Sequence, residues 1–191
     1  KENSAPVVLS SEIKNFISVV LTVPTTTETI TSSTVVQLPP AAPVTGGKIL
    51  ISEVMVGNDT NAIYEFIELF NAGSGPVDLT GWKITKKTST GSESTFVASS
   101  RLDDKIVPAQ KYFLLANQGG YNGLVVPDIL WPASYTLAYT NNKIVIYDSN
   151  NQKIEEVSWP EIPKNQSYKR DSWDSTGFSS NNSPDPQNSS N

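Results

Sequence analysis

Apolar residues in this chain are concentrated in short segments that turn-forming residues separate. The two clearest segments are residues 49–56, ILISEVMV, and residues 63–70, IYEFIELF. The first is rich in β-branched residues, and the second is apolar except for two glutamates. Gly57, Asn58 and Asp59 lie between them, and glycine and asparagine tolerate the positive φ of tight turns. The pattern therefore predicts two strands joined by a turn.

Further strand-like segments follow at intervals marked by turn residues. They are residues 82–87, 94–97, 112–116, 143–147, 154–159 and 166–173. Residues 148–152, DSNNQ, predict a hairpin turn. Residues 125–139 contain two prolines and are predicted to be irregular, with a short strand at 137–139, and a surface tail is predicted from Ser175. No span has sustained helical periodicity, so the predicted fold class is an all-β sandwich.

Residues 1–47 differ from the rest of the chain. Within 17–23 every odd position is apolar, which predicts a strand, and 30–38 combines high β propensity with no charge. Residues 39–47, PPAAPVTGG, predict a semi-rigid spacer with a flexible joint. The apolar residues assigned to this strand-forming N-terminal arm are Val7, Leu9, Ile13, Ile17, Val19, Leu21, Val23, Ile30, Val35 and Val36.

Two hypotheses about this arm remain open. Its Thr- and Pro-rich composition is typical of a disordered linker to a neighbouring domain, glycosylated or spanning a cell wall. Its alternating apolar segments instead favour an ordered strand that docks on a sheet edge, either in its own molecule or in a neighbouring one.

An ordered set of motifs in the rest of the chain resembles the lamin tail domain family. ISEVM at 51–55 is followed by EFIEL at 65–69, FNAG at 70–73 and VDLTGW at 77–82. Later segments that fit the same pattern are 107–116, 142–148, 155–159, 166–170 and 183–188. The resemblance covers residues 48–188 and implies an immunoglobulin-like β-sandwich. The predicted organisation is therefore an arm and spacer at 1–47, a sandwich at 48–188 and a tail at 189–191.

Composition narrows the classes of function. The chain of 191 residues has a net charge of −5 and only 17% charged residues. A nucleic-acid-binding protein usually has a basic face, so no nucleic-acid partner is predicted. The sequence contains neither cysteine nor histidine, which excludes disulfides, thiol nucleophiles and Cys- or His-ligated zinc. No catalytic residue, cofactor or metal is predicted.

The acidic cluster Glu53, Glu65 and Glu68 is the strongest candidate for catalysis, because paired carboxylates can perform acid–base chemistry. Strand alternation puts Glu65 and Glu68 on opposite faces, so they cannot share a cleft without a bulge. Each is expected at a sheet margin, paired with lysine or bonded to backbone. The resemblance points the same way, because lamin tail domains are not enzymes.

Two weaker signals have simple explanations. Aspartates and asparagines at 58–59, 103–104, 148–150, 171 and 174 offer oxygen ligands for calcium, but none has EF-hand spacing, and turns favour the same residues. N-glycosylation acceptor patterns begin at Asn58, Asn165 and Asn188, among others, which is expected by chance in a chain rich in Asn, Ser and Thr.

The polar, Gly-rich loop at 117–123 is the best position for a variable binding site, because loops carry function at little cost to a core. The loop-binding candidates are Asn117, Gln118, Tyr121, Asn122 and Trp131. Trp82 and Trp159 match core positions of the family that the motifs resemble.

These observations together predict a non-catalytic structural or adhesive subunit at the cell surface. No apolar run is long enough to cross a bilayer, and the start at Lys1 fits a removed secretion signal. Self-association through the arm, by strand addition to a neighbouring subunit, would build a filament or surface layer. The alternative is an extracellular binding module for a protein or carbohydrate, cut from a larger secreted protein. An intracellular, lamin-like chromatin partner is disfavoured by the acidic charge.

Overall fold

The structure is a computed structural model that describes residues 46–190. All ten residues assigned to the arm lie outside the described residues, so the arm stays a prediction. Within the described range no helix is long and apolar enough to pass through a bilayer.

The described chain forms twelve strands and one short 3-10 helix, Ser99–Arg101. The strands are β1 (Ile49–Val56), β2 (Glu65–Asn71), β3 (Val77–Asp78), β4 (Lys83–Lys87), β5 (Glu93–Val97), β6 (Ile106–Val107), β7 (Tyr112–Asn117), β8 (Ile129–Trp131), β9 (Thr140–Tyr147), β10 (Lys153–Glu161), β11 (Ser167–Arg170) and β12 (Phe178–Asn181).

Two main sheets pack face to face. One has six strands in the order β12-β11-β1-β2-β7-β8, and the other has four in the order β10-β9-β4-β5. All pairings within them are antiparallel except that of β7 with β8. The short strands β3 and β6 form a separate ribbon. This is the predicted all-β, immunoglobulin-like sandwich.

The core lies between the two main sheets. Its large side chains include Ile67 from β2, Ile84 from β4, Trp131 from β8 and Trp159 from β10, all at most 2% exposed. Burial of apolar surface on this scale is the main force that holds two sheets together. Trp82, the other tryptophan predicted in the core, is partly buried against it.

The predicted hairpin turn at 148–152 is present. The Asp148 amide donates to the Gln152 carbonyl, and the Asp148 carboxylate accepts from the amides of Asn150 and Gln152. Asn151 adopts a left-handed φ of 61°, which asparagine tolerates better than most residues. This turn joins β9 to β10, the longest strand of the described chain.

Three local predictions were wrong. Residues 129–131, predicted to be irregular, form the edge strand β8, because buried Ile129 and Trp131 alternate with exposed Leu130. Residues 137–139 form no strand, because side chains rather than a neighbouring strand bind their backbone groups. The Leu137 amide donates to the Glu65 carboxylate, and the Ala138 carbonyl accepts from Trp159 Nε1.

The third correction concerns the predicted C-terminal tail. It begins with a true strand, β12, which pairs with β11 in continuous register. Phe178 fixes this strand, because its ring stacks on Tyr168 at 5.5 Å and lies under the Arg170 guanidinium at 4.6 Å.

Candidate functional site on the outer face of the six-stranded sheet

A β-bulge in β1 creates the most unusual polar cluster of the described chain. The register between β1 and β2 shifts between Ile51 and Glu53, so that Ser52 is the extra residue and Glu53 pairs with Glu68. A bulge sets two residues of one strand against a single residue of the other. Ile51 and Val54 consequently both face the core, while Ser52 and Glu53 face Glu68 on the outer side of the sheet.

Both carboxyl groups of this Glu53–Glu68 pair are buried, with residue exposures of 0% and 1%. Glu68 accepts a hydrogen bond from the Ser52 hydroxyl at 2.5 Å and another from the Gln187 amide at 2.5 Å. Glu53 accepts from the Ser167 hydroxyl and from Asn181 Nδ2 through one oxygen, Oε1. Its Oε2 has no hydrogen bond within the described structure and lies 3.6 Å from the Lys169 ammonium.

Burial governs the titration of the pair. Desolvation raises the pKa of Glu68 to about 7, and the nearby Glu53 adds to the rise, against the lowering effect of the bonds from Ser52 and Gln187. Desolvation also raises the pKa of Glu53, opposed by the Ser167 hydroxyl and by Lys169. Two adjacent buried carboxyls favour a state in which a proton is retained near neutral pH.

The C-terminal segment 182–190, called the strap below, covers the pair. It leaves β12 at one edge of the sheet and crosses the outer face, where Asp185 forms an ion pair with Lys169 and Gln187 bonds to Glu68. It ends near the opposite edge, where the Ser189 hydroxyl donates to Asp128 at 2.5 Å and Asn188 donates to the Val126 carbonyl. The strap thus shields the carboxyl pair from solvent.

Glu65 occupies a separate environment, as strand alternation predicts. Its carboxylate accepts from the Leu137 amide at 2.7 Å and from Asn117 Nδ2 at 3.1 Å. Desolvation raises the pKa of Glu65 to about 7, against these two bonds. The prediction that all three glutamates lie at a sheet margin is correct only for Glu65, which is the first residue of β2. Glu53 and Glu68 lie instead on the two central strands of the sheet.

The five loop-binding candidates do not form one surface. Asn117 is buried and bridges Glu65 to the Tyr135 carbonyl, and Trp131 is 0% exposed, with its Nε1 also bound to that carbonyl. Neither can face a ligand in solution. Gln118 and Asn122 are exposed. Tyr121 is half-buried, with its ring stacked on Tyr64 at 5.2 Å.

An open groove of about 560 Å³ lies between this loop and the strap. Tyr64, Val125, Pro184 and Pro186 supply apolar surface, and Asn122 and Gln187 supply polar groups. Leu124 at its margin is fully exposed, at 104%. Burial raises the pKa of Tyr121 to about 12, so this phenol stays neutral, and its hydroxyl finds no partner among the described residues.

Several of the aspartates and asparagines considered as calcium ligands accept hydrogen bonds from within the protein. The Asn58 side chain accepts from the amides of Thr60 and Asn61, and Asp103 accepts from the Gly81 amide. Asp171 accepts from the Ser179 hydroxyl. Within residues 46–190 no group of three or more Asp or Glu is arranged to hold a metal ion.

Sequence reasoning missed several residues of the outer-face cluster, namely Ser52, Lys169, Asn181 and Gln187. The sequence alone carries no clear signal for the bulge, because apolar residues occupy both odd and even positions of β1 and all eight residues are buried. The residues that face the core are odd at Ile49 and Ile51 but even at Val54 and Val56. Such a change of parity within a strand requires an extra residue if one face is to remain apolar.

The sequence model of the family described as Lamin Tail Domain matches residues 42–161. The chain belongs to the lamin tail domain family. The match includes the two long strands of the four-stranded sheet and the bulged strand β1, but ends before β11, β12 and the strap. No curated protein matched the sequence. Lamin tail domains are immunoglobulin-like binding or structural modules of the protein-interaction type and are generally non-catalytic.

Proposed function

We propose that this chain is a non-catalytic structural subunit at the cell surface, which assembles with further copies of itself. Its N-terminal arm adds as a strand to a neighbouring sandwich, and repetition of this contact gives a filament or layer. Strand addition supplies backbone hydrogen bonds for affinity and positions for alternate side chains for specificity.

The main support for a non-catalytic role is the burial of the three carboxyl groups that were candidates for catalysis. Glu53, Glu65 and Glu68 are each at most 1% exposed and bind internal donors, so none is available to a substrate. A general acid or base must lie within hydrogen-bond reach of the reacting group. What the described chain offers to other molecules is instead sheet edges and exposed apolar side chains, such as Leu124 and Val126.

The arm is the second part of the proposal. Its apolar segments carry almost no charge, and residues 24–45 separate 17–23 from the described sandwich. At about 3.1 Å per residue in extended form, those 22 residues reach roughly 70 Å, enough to span a neighbouring domain. The surface location is proposed because Thr- and Pro-rich spacers of this composition are typical of segments outside the cell.

Electron microscopy combined with light scattering tests this function on the 191-residue chain. The matched variant is Val19→Pro with Val35→Pro, which removes a donor from each arm segment and leaves the sandwich unchanged. The proposal expects ordered assemblies of the unmodified chain and monomers of the variant. Monomers of both proteins would overturn it.

The groove beside Tyr64 supports a second candidate, an extracellular binding module. A partly exposed aromatic ring and amide groups around an open groove suit a sugar or an extended peptide. A glycan array and a peptide array, each probed with the 191-residue chain, test this candidate. Binding that Asn122→Ala removes would support it, and no binding on either array would exclude these two ligand classes.

A further inference from the structure

The two main sheets of the described chain end in four outer strands, β12 and β8 in one sheet and β10 and β5 in the other. An outer strand presents unpaired backbone groups that can accept another strand. Proteins block unwanted pairing with charges, prolines, bulges or very short strands. The four strands differ sharply in these protections.

The longest outer strand, β10, is heavily protected. It contains Pro160, and its register with β9 shifts between Lys153 and Glu155, leaving Ile154 as the bulged residue. Its charged side chains are Lys153, Glu155, Glu156 and Glu161. Arg170 also binds Glu155 at 2.7 Å and ties this edge to the other sheet.

The edges at β5 and β8 are also interrupted. In β5 the register shifts at Phe96, and Glu93 forms an ion pair with Lys87 at 2.9 Å. In β8 there are only three residues, and the carbonyl of Leu130 accepts a bond from the Arg101 guanidinium at 3.0 Å.

The fourth outer strand, β12, is short at four residues but carries no charge, no proline and no bulge. Its sequence is FSSN, and its register with β11 is continuous. The Asp171 amide donates to the Gly177 carbonyl, which marks that pair as hydrogen-bonded. Since bonded and non-bonded pairs alternate in antiparallel strands, the N–H groups of Phe178 and Ser180 point away from β11, towards the open edge.

The inner face of β12 also suits an amphipathic strand. Phe178 and Tyr168 are only partly buried and lie at the rim of the main core. A strand added beyond β12 would place every second side chain against this rim and the others in solvent. Residues 17–23 have that pattern, with apolar residues at each odd position and the polar residues Ser18 and Thr22 at two of the even ones.

We propose that β12 is the acceptor edge for residues 17–23 of a second copy of this chain. This inference rests on the proposed function and adds the place where the arm binds. Strand addition there would extend the six-stranded sheet to seven strands.

Cysteine cross-linking tests the inference directly, because the chain has no cysteine of its own. One copy carries Ser18→Cys in the arm. The co-expressed copy carries one of three substitutions at exposed serines on outer strands, Ser179→Cys on β12, Ser158→Cys on β10 or Ser94→Cys on β5. A short bismaleimide then links cysteines that lie close together, and the products are separated by size under denaturing conditions.

The expected result is a dimer band from the pair Ser18→Cys and Ser179→Cys, and from neither of the other two pairs. Dimer bands with Ser158→Cys or Ser94→Cys instead would overturn the choice of edge but leave arm addition standing. A link formed only within single chains carrying both Ser18→Cys and Ser179→Cys would show that the arm pairs with its own sheet, which contradicts the second-copy proposal. No link in any pair, with no assembly in light scattering, would remove the proposed function as well.

A second variant separates edge pairing from loss of folding. Ser180→Pro removes an N–H that points to the open edge, and proline is tolerated on edge strands. Ser180→Ala keeps that N–H and is the matched control. The inference expects Ser180→Pro to abolish the cross-link between Ser18→Cys and Ser179→Cys, with unchanged thermal stability, and Ser180→Ala to retain it. Equal cross-linking in both variants would contradict the inference.

Discussion

Glu53 and Glu68 are register partners on the two central strands of the six-stranded sheet, and both carboxyl groups are buried. Buried carboxyls without full compensation destabilise a fold when they ionise. Two hydrogen bonds to Glu68 reduce this cost, one from the hydroxyl of the bulged Ser52 and one from the Gln187 amide of the strap. The arrangement makes stability depend on pH and on the C-terminal segment.

Stability should fall as pH rises through neutrality. Glu65 and Glu68 each have a folded pKa of about 7 against an ordinary 4.5, so the folded state binds protons more strongly than the unfolded state. Their stabilising contribution is complete below about pH 4.5 and is lost as pH passes 7. The loss is on the order of 3 kcal/mol per group well above pH 7. Urea unfolding at pH 5, 7 and 9 measures it.

Glu68→Gln is the matched variant for this pH dependence. The amide can accept from the Gln187 N–H and donate to the Ser52 hydroxyl, so the geometry is kept while the titration is removed. The variant should gain stability relative to the unmodified chain at pH 9 but not at pH 5. Glu161→Gln, at an exposed position, is the control, and equal pH profiles for all three proteins would refute the assignment.

The strap should stabilise the sandwich through the Gln187 amide. Gln187→Pro removes the N–H that donates to Glu68, whereas Gln187→Ala keeps it. Leaving a buried acceptor unsatisfied costs about 1–3 kcal/mol. The proline variant should therefore unfold at lower urea than the alanine variant, and NMR titration should show a further rise in the pKa of Glu68. Identical unfolding curves would show that this bond is unimportant.

Trp131 should behave as a core residue. It is fully buried, its ring lies 4.9 Å from that of Phe96, and its Nε1 donates to the Tyr135 carbonyl at 2.9 Å. Trp131→Ala should lower the free energy of unfolding by about 3–5 kcal/mol. The control is Gln118→Ala, because the Gln118 amide binds the Trp131 carbonyl while its side chain is exposed. This substitution should change the free energy of unfolding by less than about 0.5 kcal/mol. A small effect of the tryptophan substitution in thermal melts would contradict its place in the core.

The 117–123 loop should be rigid at Gly120. A Cβ at this position would lie 1.7 Å from the Ile63 carbonyl oxygen, which is a backbone atom and cannot rotate away. Gly120→Ala should cost about 1–3 kcal/mol through forced backbone movement. Gly46→Ala is the control, since no atom lies within 4 Å of its added Cβ. Differential scanning calorimetry of both variants compares them, and equal melting temperatures would show that the loop adapts freely.

The sequence predicted the strands that alternate or carry dense β-branched residues. Residues 49–56 coincide with β1, and the turn at 148–152 was identified because Asp and Asn side chains bind their own backbone. Trp131 was assigned to an irregular segment because prolines lie on both sides of residues 129–131. Its burial depends on the parallel pairing of β8 with β7, a contact between segments with no local signal.

The outer-face cluster was only partly predictable. Alternation correctly separated Glu65 from Glu68, but the bulge at Ser52 was not predicted. The bonds from Ser167, Asn181 and Gln187 come from residues more than 110 positions along the chain from their carboxylates. A one-dimensional pattern does not encode which distant strand or strap will cover a polar group.

Sedimentation velocity of the 191-residue chain over a wide concentration range tests the central claim of self-assembly most directly. The single chain has a mass of 20.7 kDa. Assembly through the arm predicts that the weight-average mass rises well above this value as concentration increases, and that Val19→Pro with Val35→Pro prevents the rise. A mass of 20.7 kDa at every concentration would contradict the claim.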